Sequence, residues 1–267
     1  MQNDKINLSL IIPIGLMLFS FFFGAGNLIF PPVLGQMAGE NIGWGMLGFC
    51  LSGVGFPLLG VLAMAMKQSD NPDSIAMPMH PLYARAVTIL CALAIGPLFA
   101  IPRTAAVSFD TGIHSLLPAS CEAIGLPVYT VFFFVLTYFF SINPSKIIGH
   151  IGKFLSPMLL ICLAVLVVCV FVNPTGSLKM PNPDFAASPF FRGFQEGYNT
   201  MDLLAAILFG SITIKAIEAQ GITDKKVLTK LCSYAGLIAA FFLAIIYAAL
   251  AYTGALSINV FGVIPNG

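Results

Sequence analysis

Seven stretches of this 267-residue chain stay apolar for close to the length a helix needs to cross a bilayer, about 20 residues for about 30 Å of hydrocarbon. They run Leu8–Leu34, Trp44–Met66, Ala86–Ile113, Ile124–Ile142, Phe154–Val172, Tyr198–Ala219 and Leu231–Leu256. The runs are continuous rather than alternating and carry glycine and proline, which predicts helices and not barrel strands. Only 9% of the residues are charged, against ~25% in soluble proteins, too few to cover a surface facing water. The sequence therefore reads as an all-α integral membrane protein with seven transmembrane helices and the lipid bilayer as its solvent. A net charge of +1 without a basic tract excludes nucleic acid as a partner.

The first run is too long for a signal-peptide core at 27 residues, and Asp4 offsets Lys5 ahead of it. Basic residues set the orientation. With the N-terminus in the cytoplasm, Lys5, Lys67, Arg85, Lys146, Lys153, Lys215, Lys225, Lys226 and Lys230 fall inside, and only Lys179 and Arg192 fall outside. The connection Asn173–Gly197 is then external. Phe190, Phe191, Phe194 and Tyr198 recur at helical spacing near its end, which predicts a short amphipathic helix on the membrane surface or over a pore mouth. A plain interfacial aromatic anchor reads equally well. The six cysteines show no metal-ligand or disulfide spacing and no transition-metal site is expected.

Two runs carry helix-breaking chemistry near their middles. In the first, Gly24-Ala25-Gly26-Asn27 is followed by Pro31-Pro32; each glycine costs ~1 kcal/mol and an interior proline ~3 kcal/mol in a soluble helix. In the sixth, Phe209-Gly210-Ser211 lies at the midpoint. Main-chain groups freed in a membrane persist only against protein or a water-filled cavity. Antiparallel helices interrupted at mid-depth, five helices apart, are what an inverted-repeat transporter shows. The competing reading of the glycines is close helix packing, strongest for Gly210-Ser211.

Such a site suits a small zwitterion with an aliphatic side chain. Amides at the start of the outer half-helix, Gly26 and Asn27 among them, offer a positive dipole end to a carboxylate. The carbonyls of Ser20 and Phe23, with Asn27 and Thr213, could hold a cation. Ala25, Phe209, Gly210 and Ser211 complete the expected pocket. Arg103 and Asp110 share a face of the third run at i,i+7 and could pair as a gate; the alternative is a snorkelling arginine and a helix-end aspartate. Asp202 reads as a dipole partner at the start of the sixth helix. No ionisable residue is expected near mid-depth in the first, second, fourth, fifth, sixth or seventh run, which favours sodium over protons as the coupling ion. No HExxH, GxSxG or P-loop motif occurs, so neither enzyme activity nor an organic cofactor is expected.

The stretch Gly24-Ala25-Gly26-Asn27-Leu28-Ile29-Phe30-Pro31-Pro32 resembles the bacterial branched-chain amino acid carrier family. Gly96-Pro97-Leu98-Phe99-Ala100-Ile101-Pro102-Arg103-Thr104-Ala105 and Gly193-Phe194-Gln195-Glu196-Gly197-Tyr198-Asn199-Thr200-Met201-Asp202 carry the same likeness. The resemblance implies cation-coupled import of leucine, isoleucine and valine across the bacterial cytoplasmic membrane, driven by sodium or, in some members, protons. It also implies a LeuT-type five-plus-five inverted repeat whose first and sixth helices are broken, with Gly24, Gly26 and Asn27 in the first-helix site. On that pattern residues 1–172 form the first repeat, 173–197 the external loop and 198–267 two helices of a second repeat. The family has about twelve spans, so a seven-span chain is expected to be a fragment, with a non-transporting membrane module as the alternative to a working carrier.

Overall fold

The structure is a computed structural model that describes residues 8–118, 122–142, 156–172, 176–222 and 224–261. Asp4, Lys5, Lys146, Lys153, Phe154 and Asn173, named above, lie outside the described residues. Within them the secondary structure is entirely helical.

The first apolar run forms α1 (Leu8–Phe22) and α2 (Ala25–Ala38), separated by Phe23 and Gly24. Gly24 is extended (φ −109°, ψ −171°), so the interruption falls at the glycine-rich segment. Pro31 and Pro32 lie inside α2, and their ring nitrogens cannot donate to the carbonyls of Asn27 and Leu28. The second run folds as α3 (Ile42–Cys50), a π-helical turn over Leu51–Gly55, and α4 (Phe56–Lys67). The third is broken as well. After α5 (Pro81–Leu93) a π-turn contains Gly96 at non-helical ψ −118°, and α6 (Ala100–Gly112) begins beyond Phe99. Pro97 lacks the N–H that would continue α5, which places the kink there. The fourth and fifth runs give α7 (Glu122–Ser141) and α8 (Ser156–Val172).

The sixth run departs from expectation. Two short helices, α9 (Pro183–Ala187) and α10 (Pro189–Tyr198), precede α11 (Asp202–Glu218). The last two are bent by 45° at a break over residues 199–201 and together are long and apolar enough to cross a membrane. α11 continues unbroken through Phe209-Gly210-Ser211. A methyl group on Gly210 would lie 3.1 Å from Met64 Cβ and 3.4 Å from Val61 Cα, so this glycine serves close packing on α4. Ser211 and Thr213 spend their hydroxyls inside the helix, on Leu208 O at 2.7 Å and Phe209 O at 2.8 Å. The seventh run is α12 (Lys225–Phe261).

Helices α1, α2, α3, α4, α11 and α12 form the core. Leu18, Phe19, Phe22, Leu34, Phe49, Leu243, Tyr247 and Leu250 fill one cluster, and Ile14, Met17, Met64, Ile214, Ile217 and Leu231 a second. In lipid the driving force between such helices is close packing rather than escape from water, and the contacts show it. A methyl on Gly48 would clash with Phe190 O, one on Gly193 with Gly45 O, and one on Gly197 with Phe49 O. The short helix expected on the membrane surface or over a pore mouth forms as α10 and is seated backbone to backbone on α3. Its glycine face lacked the bulk of an anchoring face, and Phe191 alone of its three phenylalanines is largely exposed. Outward-facing Val131, Phe132, Phe139, Ile161 and Val168 leave α7 and α8 apolar on their exposed sides. Four described helical stretches are long and apolar enough to cross a membrane, or five with the bent pair.

Candidate functional site

The two breaks meet at Asn27. Its side-chain oxygen accepts from the Gly24 N–H at 3.2 Å, which closes the gap between α1 and α2. Its amide nitrogen donates to Asp202 Oδ2 at 2.6 Å and to the Tyr247 hydroxyl. Tyr247 in turn donates to the same Asp202 oxygen at 3.2 Å. The three side chains come from α2, the start of α11 and α12, and all are buried, with Asn27 1% and Asp202 4% exposed. A buried polar group left without partners would cost several kcal/mol in hydrocarbon, so this triangle ties three helices at the point where two lose their regular bonding. Tyr247 is fixed by Phe49, edge to face at 5.3 Å, and by Phe23, stacked at 6.4 Å.

The break ahead of α11 has its own geometry. Met201 adopts the left-handed region (φ 67°), which costs a non-glycine residue roughly 1–2 kcal/mol. Thr200 Oγ1 donates to Gly197 O at 2.8 Å, capping the end of α10. Ser52, in the π-turn of the second run, donates to Phe194 O at 2.7 Å. A Met201→Gly chain should be more stable by up to ~1 kcal/mol, read as a raised midpoint in a thermal unfolding assay in detergent. A lowered midpoint would show that the Met201 side chain supplies more than its backbone costs.

The structure brings Gly24, Ala25, Gly26 and Asn27 together with a break in the sixth run, but does not bring the central residues of that run with them. Thr213 lies eleven residues along α11 from Asp202, roughly 16 Å by helical rise. Phe209 packs on Phe21 and Phe22 at 5.5 and 5.4 Å between centroids, on the α1 side of the gap. Phe23 donates its N–H to Phe19 O, and Ser20 is half-buried in the last turn of α1.

Arg103 and Asp110 do not pair. Asp110 is exposed near the end of α6, whereas the Arg103 guanidinium reaches Asn199 O at 3.2 Å and Thr200 O at 3.5 Å and stands 5.4 Å above the Phe30 ring. The kink at Gly96–Phe99 redirects α6, and the carbonyls at the end of α10 take the place of the carboxylate. Counted along the bent Pro189–Glu218 pair, Asp202 sits near the middle and not at the start of a run, against Asn27, so the lack of a mid-run carboxylate no longer favours sodium over protons. A wide apolar groove of about 990 Å³, lined by Ile11, Leu16, Leu160, Leu237 and Phe241 among others, lies away from this junction and suits lipid or an apolar helix.

A family model described as branched-chain amino acid transport protein matches residues 7–267. The chain belongs to that family. Its members include the branched-chain amino acid permease BrnQ of Bacillus subtilis, 45% identical over the whole of this chain and 60% of its own length. The Escherichia coli permease BrnQ is 38% identical over 96% of this chain and 58% of its own. The branched-chain amino acid transport system 3 carrier protein of Pseudomonas aeruginosa is 38% identical over 92% and 55%. The chain thus spans a little over half the length of these relatives. No solved structure matches it. As a family of transport proteins, this is not a class of enzyme, and apolar helices with permease relatives make the chain a multi-pass membrane protein.

For a member of this family the sequence reading missed Asp202, Tyr247 and the main chain of Asn199 and Thr200 as parts of the junction. Gly193 and Gly197, four residues apart, were the available signal that α10 packs inside the bundle. Tyr247 stands in an otherwise apolar stretch of α12 and offered no spacing signal.

Proposed function

We propose that this chain forms the substrate-binding part of a carrier that imports leucine, isoleucine and valine with a cation, sodium or a proton, across the bacterial cytoplasmic membrane. The observation that carries the reading is the Asn27–Asp202–Tyr247 triangle, which joins two interrupted helices in a buried polar junction surrounded by phenylalanines. A LeuT-type arrangement with an internal N-terminus and seven crossings accounts for it. α1 with α2, α3 with α4, α5 with α6, α7, α8, α10 with α11, and α12 are the crossings. The amides of Ala25, Gly26 and Asn27 open α2 and suit the substrate's carboxylate, and the Asp202 carboxylate suits a cationic group. The surrounding aromatic rings accept a branched aliphatic side chain but offer a polyhydroxylated one nothing to bond.

Uptake of labelled leucine, isoleucine and valine into proteoliposomes tests this, with sodium and pH gradients imposed separately. Accumulation of all three that needs one gradient, and competition among them, is the expected result. No gradient-driven uptake of any of the three would remove the substrate assignment. Accumulation equal with and without either gradient would remove the coupling.

A further inference from the structure

We propose that Arg103 is the side chain that receives the substrate's carboxylate, an assignment that rests on the amino acid reading above. The guanidinium lies at the crossing of three interruptions: the Phe23–Gly24 gap, the break over residues 199–201, and the kink at Gly96–Phe99 from which α6 starts. It touches α2 where that helix has no side chain, since a methyl on Gly26 would sit 2.6 Å from Nη2. Phe30 covers one face of the guanidinium plane.

The donors of Arg103 are poorly used. A guanidinium carries five N–H groups in a fixed fork and stays charged. Two bonds are made, at 3.2 and 3.5 Å, both to neutral main-chain carbonyls. Nε is buried with no partner, and among the described residues no carboxylate comes within ion-pair distance, Asp202 acting on the guanidinium only from farther away. A charge inside the membrane is costly and normally marks a pathway or finds a counter-charge. The neighbouring start of α2 is itself electropositive, with the first amides of the helix unbonded within it. Arginine and helix end therefore converge with the same sign, an arrangement that an anion within reach of both would stabilise. Of the two charges on an amino acid only the carboxylate fits there. Its two oxygens match the arginine fork, and charge-assisted bonds would be stronger than the present carbonyl contacts. Asp202, across the junction, is left for the positive group.

Equilibrium binding to protein in lipid nanodiscs separates this role from a structural one. The ligands are leucine, leucinamide (which lacks the carboxylate) and 4-methylpentanoate (which lacks the amine). The unaltered protein is expected to bind leucine at least about tenfold more tightly than leucinamide, and 4-methylpentanoate measurably. Arg103→Gln should abolish the preference for leucine, changing leucinamide affinity less than about threefold, and Arg103→Lys should restore part of it. An Arg103→Gln protein that keeps the leucine-to-leucinamide ratio overturns the assignment while leaving the substrate reading intact. So does one that loses both ligands equally, since that result makes Arg103 a brace for Asn199 and Thr200. If the unaltered protein binds no leucine, the substrate reading falls and the assignment falls with it.

Discussion

Replacing Asp202 with alanine is expected to cost the folded protein about 2–5 kcal/mol and to reduce uptake to background. The change removes the carboxylate oxygen that accepts from both Asn27 Nδ2 and the Tyr247 hydroxyl, at 2.6 and 3.2 Å. Both donors are buried, Tyr247 completely. Each stranded donor costs roughly 1–3 kcal/mol, and neither can turn to water without opening the core around Leu243 and Leu250. Asp202→Asn keeps an oxygen to accept both bonds and should cost less, about 1 kcal/mol. Tyr247→Phe removes one donor and should cost about 1–2 kcal/mol. In a double-mutant cycle Asp202→Ala and Tyr247→Phe should fall short of additivity by at least about 1 kcal/mol, as expected for groups in one network. Unfolding midpoints in detergent measure the stabilities, and leucine uptake at matched protein levels measures function. Additive losses of a few tenths of a kcal/mol would show that the triangle does not join the breaks.

How much of this junction was legible depended on whether its cause is local. The first break was readable because Gly24, Gly26, Asn27, Pro31 and Pro32 weaken the helix by their own chemistry, whatever packs around them. The all-helical membrane character followed in the same way from run length and the scarcity of charge. The break ahead of α11 has no such cluster. Tyr198-Asn199-Thr200-Met201 contains neither glycine nor proline, and Met201 is held at positive φ by its surroundings. The first half of this broken pair also carries Arg192, Gln195 and Glu196, so its hydropathy falls and the segment resembles an external loop. Gly210-Ser211 then drew attention as a mid-run weak point when its cause is the close approach of α4.

Arg103 illustrates the same limit. Its i,i+7 spacing to Asp110 is a property of a straight helix, but its partners come from a segment about a hundred residues away along the chain. Tertiary contact decided the outcome, and a single sequence holds no record of it. Gly96-Pro97 was a local signal of the kink, visible in the same stretch that carried the family likeness.

A Gly35→Leu chain should not assemble the bundle at all, and Gly35→Ala should lose about 1–3 kcal/mol of stability. A methyl at this position of α2 would fall on Ala251 O of α12, with Ala251 C at 2.7 Å and Ala255 N at 2.9 Å. All three are main-chain atoms, so no side-chain rotation can relieve the clash and the helices must separate. Gly254 faces the reverse approach, because a methyl there would meet Pro32 O. The pair of glycines therefore sets the α2–α12 distance, and Gln36 Nε2 bonds Ser257 Oγ at 3.0 Å beside it. Separation would propagate to the site. Asn27 lies on α2 and Tyr247 on α12, so widening the crossing stretches the bond between them. Gly35→Ala should accordingly reduce leucine affinity as well as stability, although residue 35 touches no expected substrate group. Gly43→Ala is the matched control, since a methyl there meets nothing within 4 Å and should change stability by less than about 0.5 kcal/mol. Thermal midpoints and leucine binding for the two alanine variants decide the point. Equal values for both would mean that α2 and α12 do not meet at Gly35, and the contact that carries Tyr247 to Asn27 would lose its support.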